Sequence, residues 1–429
     1  MSPKLQVSSI DSYIDKKVMI KVIDCAANTN VSIHASTYDE EHKKFSSYAT
    51  FIANDDGVVD VSSQKPVEGT YDKADPFGLF WSMDYTDSKW GDYYQKSSSD
   101  KVSITLVLKV NEEEKDTVTI YRHFYMEGVV KETVQHHQLK GTLFHPEEQG
   151  SYPAVLVLSG SDGGMQEHAA ALLASKGYTA LALVYFGMEG VPKDLEEIPL
   201  EYFQEATRWL KHHEYVNGDI HVIGYSRGGE LALLLGATFD DYQSIIAGVP
   251  SAYITPGMKN GIFAPITSWV FHQEALPAIK FKYPLSMMFS SIKNWLIKKP
   301  ISFSAIWEKT LKNQEKTAES RISVENIHAP IMFISGGDDQ LWPSNRYVNM
   351  MEKTRKNLKE PYQDRYLYYE NAGHFLSFPY SFVNLPTNVF MQVGGGMTMT
   401  FGGTKEANAD AAKDSWDKIL EFLAENDRE

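Results

Sequence analysis

The chain has 429 residues, of which 43% are hydrophobic and 12% aromatic, so it can fill two domains with large cores and is not globally disordered. Its formal net charge of −15 disfavours nucleic acid and anionic membrane surfaces as partners. The single cysteine, Cys25, excludes an internal disulfide, and we find neither a secretory signal nor an apolar stretch of about 20 residues, which predicts a cytoplasmic protein without stable membrane insertion.

The first part of the chain, residues 1–135, is predicted to form a β-sandwich domain. Apolar and polar residues alternate there at period two, in short stretches separated by turns rich in Asn, Asp and Gly. The clearest stretches are "KVMIKVID", "VSIHAST", "SYATFIA", "GVVDVSS", "SITLVLKV" and "TVTIYRHFY". Many short strands with regular turns are typical of a sandwich. His34, His42 and His123 occur singly in this part, which favours packed or solvated histidines over a catalytic group.

The pattern changes in residues 136–429, where apolar runs alternate with helical spacing. The predicted buried strands are "AVLVLSG", "YTALALVYF", "IHVIG", "SIIAGV", "PIMFIS" and "RYLYY", and the chain closes with a helix around Trp416. Such alternation predicts a mostly parallel α/β sheet. The patch "VGGGMTMTFGG" precedes no strand-to-helix unit that could bind a nucleotide, and a mobile loop is the better interpretation.

The stretch Gly224-Tyr225-Ser226-Arg227-Gly228 stands between the predicted strand "IHVIG" and the predicted helix "RGGELALLLGA". A G-x-S-x-G nucleophile elbow requires this strand-turn-helix context. Glycines two residues before and after the serine let the strand and the helix pass closely, and the start of the helix directs N–H groups at developing negative charge. We therefore predict an α/β-hydrolase domain with Ser226 as the nucleophile. The alternative is a hydrolase fold that has lost its activity.

A serine nucleophile needs a base that a carboxylate orients, and in this fold class the chain order is Ser, Asp or Glu, His. The strand "PIMFIS" ends in a Gly-Gly-Asp-Asp turn, where either Asp338 or Asp339 could reach the base. The spacing from Gly336 favours Asp339 and leaves Asp338 to turn hydrogen bonding. His374 lies in "ENAGHF", directly after the last predicted strand, and is the predicted base.

Two backbone N–H groups are expected to stabilise the oxyanion of a tetrahedral intermediate. One belongs to Arg227, which follows the nucleophile, and the other to Ser161 in the loop "LSGSDGGMQEH". That loop lacks the Gly-Lys-Ser/Thr ending of a phosphate-binding P-loop. The pattern implies no metal and no organic cofactor.

With these residues in place, the chain resembles the family of acyl-CoA thioesterases and bile acid-CoA:amino acid N-acyltransferases, whose catalytic half is similar to dienelactone hydrolase. The matching stretches follow the family order: "KPVEGTYDKADPFGLFWSMDY", "LLASKGYTALALVYFG", "VIGYSRGGELAL", "GGDDQLWPS", "ENAGHF" and "GGTKEANADAAKDSW". The resemblance covers nearly the full length. It implies an α/β-hydrolase catalytic domain with an N-terminal β-sandwich domain. It also implies that the Ser or Cys, Asp and His triad of the family corresponds to Ser226, Asp339 and His374.

The type of nucleophile separates the two reactions of that family. A cysteine acyl-enzyme is a thioester that amines attack readily, whereas a serine acyl-enzyme is an oxygen ester that water commonly releases. Ser226 therefore favours hydrolysis of a small acyl thioester, such as acyl-CoA, to the free acid and CoA. Three alternatives stay open: a carboxylesterase or amidase on a substrate without CoA, transfer of the acyl group to an amino acid, and a binding protein with a vestigial hydrolase half. The sequence indicates no oligomeric state.

An insertion at about residues 252–322 departs from the animal members of the family, because it is longer and rich in aromatic residues and methionine. Met288, Ile292, Trp295 and Leu296 have helical spacing, so a cap helix is expected, with its apolar stripe either packed or lining an acyl site. No carboxylate lies between Glu274 and Glu308. The lysines of this segment, among them Lys293, Lys298 and Lys299, could contact the phosphates of CoA, or could form a solvated face.

Overall fold

The computed structural model describes residues 2–282, 285–312, 314–393 and 395–427. The predicted cap position Met288 lies outside the described side chains, which also leave out 285–287 and 314–316. The strands of the N-terminal part are β1 (Lys4–Val7), β2 (Asp11–Tyr13), β3 (Ile20–Ile23), β4 (Asn30–Tyr38), β5 (Lys44–Ile52), β6 (Val59–Asp60), β7 (Glu68–Gly69), β8 (Asp84–Tyr85), β9 (Val102–Val110) and β10 (Glu113–His123).

Two sheets build the N-terminal domain and confirm the predicted β-sandwich. One has the order β2-β10-β9-β4-β5-β7, with β8 also paired to β5, and the other has the order β1-β3-β6. Alternate side chains of β4 and β5 are buried, because successive residues of a strand point to opposite faces. The buried residues of both sheets belong to one hydrophobic cluster.

The remaining strands are β11 (Val129–His136), β12 (Leu139–Pro146), β13 (Tyr152–Leu158), β14 (Thr179–Val184), β15 (Ile198–Pro199), β16 (Val216–Tyr225), β17 (Ser244–Gly248), β18 (Pro256–Lys259), β19 (Ile262–Thr267), β20 (Trp269–Phe271), β21 (Glu274–Ala275), β22 (Ile331–Gly336), β23 (Arg365–Tyr369), β24 (Phe390–Gln392) and β25 (Thr398–Thr400). The α-helices are α1 (Gly78–Trp81), α2 (Glu167–Ala174), α3 (Leu200–Lys211), α4 (Arg227–Thr238), α5 (Leu285–Leu296), α6 (Ser304–Leu311), α7 (Ser344–Lys356) and α8 (Lys405–Asn426), and 3-10 helices occupy Gln314–Ser320 and Val324–Asn326.

An eight-stranded sheet forms the centre of the second domain, in the order β11-β12-β14-β13-β16-β17-β22-β23. The strands from β14 to β23 in this order run parallel, whereas β11 and β12 pair antiparallel with their neighbours. The sheet and its helices confirm the α/β-hydrolase class. The edge strand β11 ends at His136, so this sheet begins before the boundary that the sequence predicts.

Helices cover both faces of this sheet, which explains why its strands are apolar on both sides. Val155 and Val157 pack in one cluster with residues of α2 and α8, and this cluster continues into the sandwich domain. Ala154 and Leu156 pack in the other cluster with residues of α3, α4 and α7. The N-terminal domain therefore shares a core with one face of the catalytic sheet.

The insertion between β17 and β22 contains β18 to β21, α5, α6 and the 3-10 helix Gln314–Ser320. The expected cap helix is α5, while the short hairpins before it were not predicted.

A second correction concerns the glycine-rich patch. Within the patch, Thr398–Thr400 forms β25, which pairs antiparallel with β24 just before the patch, so the interpretation as a mobile loop was wrong for these three residues. Within the described ranges, no helix combines the length and hydrophobicity needed to cross a membrane.

Candidate active site

Ser226 lies at the turn between β16 and α4, in a backbone conformation that few residues other than glycine adopt. Its φ is +58° and its N–H donates to the carbonyl of Gly248, 2.8 Å away. The two flanking glycines allow this turn. A Cβ added at Gly224 would lie 2.0 Å from the carbonyl oxygen of Gly228, and one added at Gly228 would lie 2.5 Å from that of Ser159. The local backbone is thus strained in the way that a nucleophile elbow requires.

The hydroxyl of Ser226 forms a continuous hydrogen-bonded relay with the two residues predicted beside it. Ser226 Oγ lies 2.9 Å from His374 Nε2, and His374 Nδ1 lies 2.9 Å from Asp339 Oδ2. All three residues are buried, at 5%, 1% and 7% exposure. A base that contacts the hydroxyl on one side and a carboxylate on the other is the arrangement that activates a serine.

The structure distinguishes between the two adjacent aspartates. Asp339 uses its second oxygen, Oδ1, to accept the N–H groups of Leu341 and Trp342 at 3.0 and 3.2 Å, which fixes the carboxylate toward the histidine. Asp338 points elsewhere, and its Oδ2 accepts the N–H of Gly403 at 2.8 Å. The geometry therefore brings Asp339 to His374 and gives Asp338 a turn-stabilising position, as the spacing predicts.

Aromatic rings surround the imidazole of His374. The rings of Trp342, Tyr225 and Phe401 lie 5.3, 5.7 and 5.9 Å from it, centroid to centroid. Burial, together with the Asp339 carboxylate, raises the pKa of Tyr225 well above its ordinary value, so this residue is a neutral neighbour. The rings exclude water from the imidazole, which strengthens its electrostatic interaction with Asp339.

Two backbone N–H groups near the serine are the predicted oxyanion donors. Arg227 is the first residue of α4, so its N–H has no acceptor within the helix. Ser161 lies in the turn after β13, and this turn starts beside the elbow at the Ser159 carbonyl that Gly228 approaches. The elements that carry both predicted donors thus meet next to Ser226.

Tyr380 organises this turn and was not identified from the sequence. Its hydroxyl accepts the N–H of Gly160 at 2.6 Å and the amide of Gln166 at 3.1 Å, and it donates to Asp162 Oδ1 at 2.5 Å. Burial and the Asp162 carboxylate raise the pKa of Tyr380 well above its ordinary value, which keeps the hydroxyl protonated. The N–H of Gly160 is therefore occupied, and the shape of the Ser161 turn depends on this phenol. Its only sequence signal is its place six residues after His374, which alone indicates nothing.

The side chain of Arg227 forms a buried ion pair with Glu230 in the first turn of α4, at 3.3 Å. Glu230 also accepts hydrogen bonds from the N–H and hydroxyl of Thr255, at 3.1 and 2.6 Å, and from the indole of Trp269 at 3.1 Å. Arg227 donates in addition to the hydroxyl of Ser268. Burial raises the pKa of Glu230 and lowers that of Arg227, since both charges lie away from water. The pair connects the base of the cap to the helix that carries Ser226.

Lys293, Lys298 and Lys299 lie on the exposed side of the cap, in α5 and just after it. Among the described residues, no carboxylate forms an ion pair with any of their ammonium groups. The indole of Trp90 donates to the carbonyl of Lys298 at 2.8 Å, so this end of the cap contacts the N-terminal domain. No hydrogen bond joins the three lysines to Ser226, Asp339 or His374 within the part of the chain that the structure describes.

An apolar cavity of about 450 Å³ opens in the cap, lined by Pro256 and by residues 263–267 and 278–281. A row of aromatic rings leads from its wall to the triad. Phe281 contacts Trp307 at 4.7 Å, Trp307 contacts Trp342 at 5.8 Å, and Trp342 contacts His374 at 5.3 Å, centroid to centroid. The cap interior and the imidazole of His374 thus belong to one continuous aromatic region.

A second cavity, of about 750 Å³, lies at the edge of the sheet beside α3 and contains no triad residue. His136, His137, His212 and His213 line it together with three glutamates, Arg208 and other residues. In the described part of the chain, no group of three or more His, Cys, Asp or Glu side chains could hold a metal ion. The cavity is separate from the site at Ser226, because no triad residue lines it.

Comparisons with known proteins agree with both halves of the chain. Residues 15–136 match the family model described as "Acyl-CoA thioester hydrolase/BAAT N-terminal region", and residues 198–427 match "BAAT / Acyl-CoA thioester hydrolase C terminal". The mitochondrial acyl-coenzyme A thioesterase 2 of Mus musculus is 27% identical, over 95% of this chain and 86% of its own length. The peroxisomal succinyl-coenzyme A thioesterase of Mus musculus is 26% identical, over 96% and 94%. A putative dienelactone hydrolase structure from Klebsiella pneumoniae has a TM-score of 0.41 and 15% identity, over 69% of this chain and 98% of that one.

The buried ion pair predicts a large loss of stability on neutralising Glu230. Glu230→Gln keeps the size of the side chain and an acceptor oxygen, but it leaves the buried guanidinium of Arg227 without a counter-charge. We expect the free energy of unfolding, measured by urea denaturation, to fall by about 3–5 kcal/mol. Glu325→Gln is the matched control, because it removes the partner of Arg321 in a more exposed pair at 3.0 Å, and it should cost no more than about 1 kcal/mol. Equal losses in the two variants would contradict the role of the buried pair.

Proposed function

The chain is an enzyme that belongs to the acyl-CoA thioester hydrolase/BAAT family, and on this premise we propose that it hydrolyses acyl-CoA to the free acid and CoA through an acyl-Ser226 intermediate. The observation that carries the proposal is the buried relay Ser226–His374–Asp339, with a distance of 2.9 Å at each step. Such a relay has the geometry that general-base activation of a hydroxyl requires. Membership of the family supports the thioester of CoA as the bond that is cleaved.

In the acylation step, Ser226 Oγ attacks the thioester carbonyl and gives its proton to His374 Nε2. The carbonyl oxygen becomes an oxyanion, which the N–H groups of Arg227 and Ser161 would stabilise as hydrogen-bond donors. Asp339 holds the imidazole by its Nδ1–H and stabilises the imidazolium that forms. The C–S bond then breaks, and the proton on Nε2 passes to the sulfur of the leaving CoA.

In the deacylation step, His374 Nε2 takes a proton from a water molecule, whose oxygen attacks the acyl-Ser226 ester. The ester C–O bond breaks, the proton returns to Ser226 Oγ, and the free acid leaves. Because the intermediate is an oxygen ester and not a thioester, water is the expected acceptor and an amine is disfavoured. Transfer to an amino acid would appear as an amide product when glycine or taurine is supplied.

Two features of the cap support an amphipathic substrate. The apolar cavity lined by residues 263–267 and 278–281 could hold an apolar acyl group, and the aromatic row from Phe281 to His374 connects its wall with the triad. The exposed ammonium groups of Lys293, Lys298 and Lys299 could contact the phosphates of CoA. We propose that the protein is located in the cytoplasm. The relatives named above include a mitochondrial and a peroxisomal protein.

Substitution of the nucleophile is the first test of the mechanism. Ser226→Ala removes the atom that forms the acyl-enzyme, so the release of free thiol from acyl-CoA should fall by roughly 10⁶-fold in kcat, as in other enzymes with a serine triad. Acyl-CoAs of graded chain length, with a thiol-reactive dye, provide the measurement. An active-serine phosphonate should label the wild type and not the variant. Turnover that survives the substitution would disprove the acyl-serine mechanism, and a wild type that resists the probe would favour a vestigial site.

The adjacent aspartates offer a matched pair of variants. Asp339→Asn removes the charge that orients His374 and should lower kcat by about 10⁴-fold. Asp338→Asn changes the same chemistry one residue earlier, at a carboxylate that contacts the N–H of Gly403, and should retain activity within about tenfold. Steady-state kinetics with one acyl-CoA compares them. If Asp338→Asn is the more damaging variant, the assignment of the orienting carboxylate is wrong.

Recognition of CoA by the cap can be separated from chemistry at the serine. Changing Lys293, Lys298 and Lys299 together to Gln should raise KM for a short acyl-CoA by about tenfold, because charge-assisted contacts with phosphate are lost. The same acyl group on N-acetylcysteamine has no phosphate, so its kcat/KM should stay within about twofold. The control replaces three exposed lysines of the sandwich domain by Gln: Lys4, Lys44 and Lys65. Equal effects on the two substrates would favour an esterase or amidase that does not recognise CoA.

A further inference from the structure

The end of the cap presents an apolar surface to solvent. We call this the cap-tip surface and define it by seven apolar side chains, each at least 39% exposed: Phe289, Ile292, Trp295, Leu296, Ile297, Val393 and Met397. Five of them lie in or directly after α5, and two lie between β24 and β25. Single exposed apolar residues are ordinary, whereas a cluster of this kind marks an interaction site.

The geometry of α5 makes the exposure one continuous face. Phe289, Ile292 and Leu296 are spaced i, i+3 and i+7, which places them on one side of the helix, and they are 67%, 50% and 68% exposed. The indole of Trp295 donates to the carbonyl of Gly395 at 2.8 Å, which joins the helix to the turn between β24 and β25. The described part of this stripe is thus neither packed in a core nor closed into a pocket.

Charge gives this surface a second property. The segment from Lys280 to Lys299 contains lysines and no carboxylate, and Lys293, Lys298 and Lys299 border the apolar face. The chain as a whole has a net charge of −15, so the cap-tip surface reverses the sign of its surroundings. An apolar helix face flanked by lysines and carrying a tryptophan is the pattern of helices that lie in the interface of an anionic lipid bilayer.

We propose that the cap-tip surface docks on an anionic lipid membrane, with Phe289, Ile292 and Leu296 in the headgroup boundary and the three lysines against lipid phosphates or carboxylates. The partner is a lipid surface and not a second copy of the chain, because a two-fold contact through this face would place its lysines opposite one another. This inference goes beyond the proposed hydrolysis and does not depend on it, and a lysine that contacts lipid cannot contact CoA at the same time. Docking of this kind is peripheral and reversible, so it agrees with the prediction of no stable insertion. It depends on the local lysines and runs against the net charge of −15, which by itself disfavours anionic surfaces.

The location of the surface gives the docking a consequence for the site. The insertion that carries α5 starts after β17, and the last residue of β17, Gly248, accepts the N–H of Ser226. The insertion that begins beside Ser226 would therefore be held at the lipid surface by a membrane that binds the cap tip. Amphipathic substrates concentrate at such surfaces, so docking would place the insertion where they are abundant.

Sedimentation of the full chain with vesicles tests the proposal. We expect the protein to sediment with vesicles of phosphatidylcholine and phosphatidylserine at a ratio of about 7:3, and not with phosphatidylcholine alone. Raising the salt concentration from about 0.1 M to about 1 M should weaken binding by at least about fivefold, because the electrostatic part is screened. Leu296→Glu should lower the partition coefficient by about tenfold or more, since it removes a side chain from the apolar face and adds a negative charge.

Val67→Glu is the matched control, because Val67 is 59% exposed in the sandwich domain and the substitution adds the same charge. Its partition coefficient should stay within about twofold of the wild type. Failure of the wild type to sediment with anionic vesicles would overturn the proposal, as would equal losses in the two variants. A doubled mass in light scattering that Leu296→Glu abolishes, without vesicle binding, would identify the surface as a self-association site and also overturn it. None of these measurements involves hydrolysis, so their failure is distinct from failure of the proposed function.

Discussion

The close crossing of β16 and α4 at Ser226 is the constraint on which the rest of the site depends. The carbonyl of Gly228 leaves no room for a Cβ at Gly224, and the carbonyl of Ser159 leaves none at Gly228. This contact forces Ser226 into a positive φ and turns its hydroxyl toward His374. The same crossing brings the loop after β13 beside the start of α4, so the packing at this point determines both the direction of the Ser226 hydroxyl and the loop that lies beside it.

The site also depends on Arg227, whose backbone and side chain have different roles. Its N–H starts α4 beside Ser226, while its guanidinium pairs with Glu230 away from water. Glu230 also binds Thr255 and Trp269 at the base of the cap. A buried charge needs all of its partners, so the cap cannot leave this helix without exposing the pair or leaving it unsatisfied. The cap and the backbone at the start of α4 therefore share one anchor.

The sequence predicts those parts of the site that follow from local pattern. The flanking glycines and the change from strand to helix identify Ser226 in the sequence. Asp339 and His374 each follow a recognisable apolar strand. Tyr380 and Glu230 could not be predicted, because their partners lie far away in the sequence: Gly160 for the tyrosine and Thr255 for the glutamate. Such residues are ordinary in local sequence, and only tertiary packing gives them a role.

The fold shows the same division between local and long-range information. The parallel strands are evident as apolar runs, because helices cover both faces of the sheet, and the sandwich strands are evident from their alternation. The sequence pattern does not separate β11 from the preceding sandwich strands, because its pairing partner β12 follows it in the chain and carries no distinct pattern. The glycines after β24 suggest a loop in the sequence. The triplets on either side of them, Phe390–Gln392 and Thr398–Thr400, nevertheless pair as the two antiparallel strands of a hairpin.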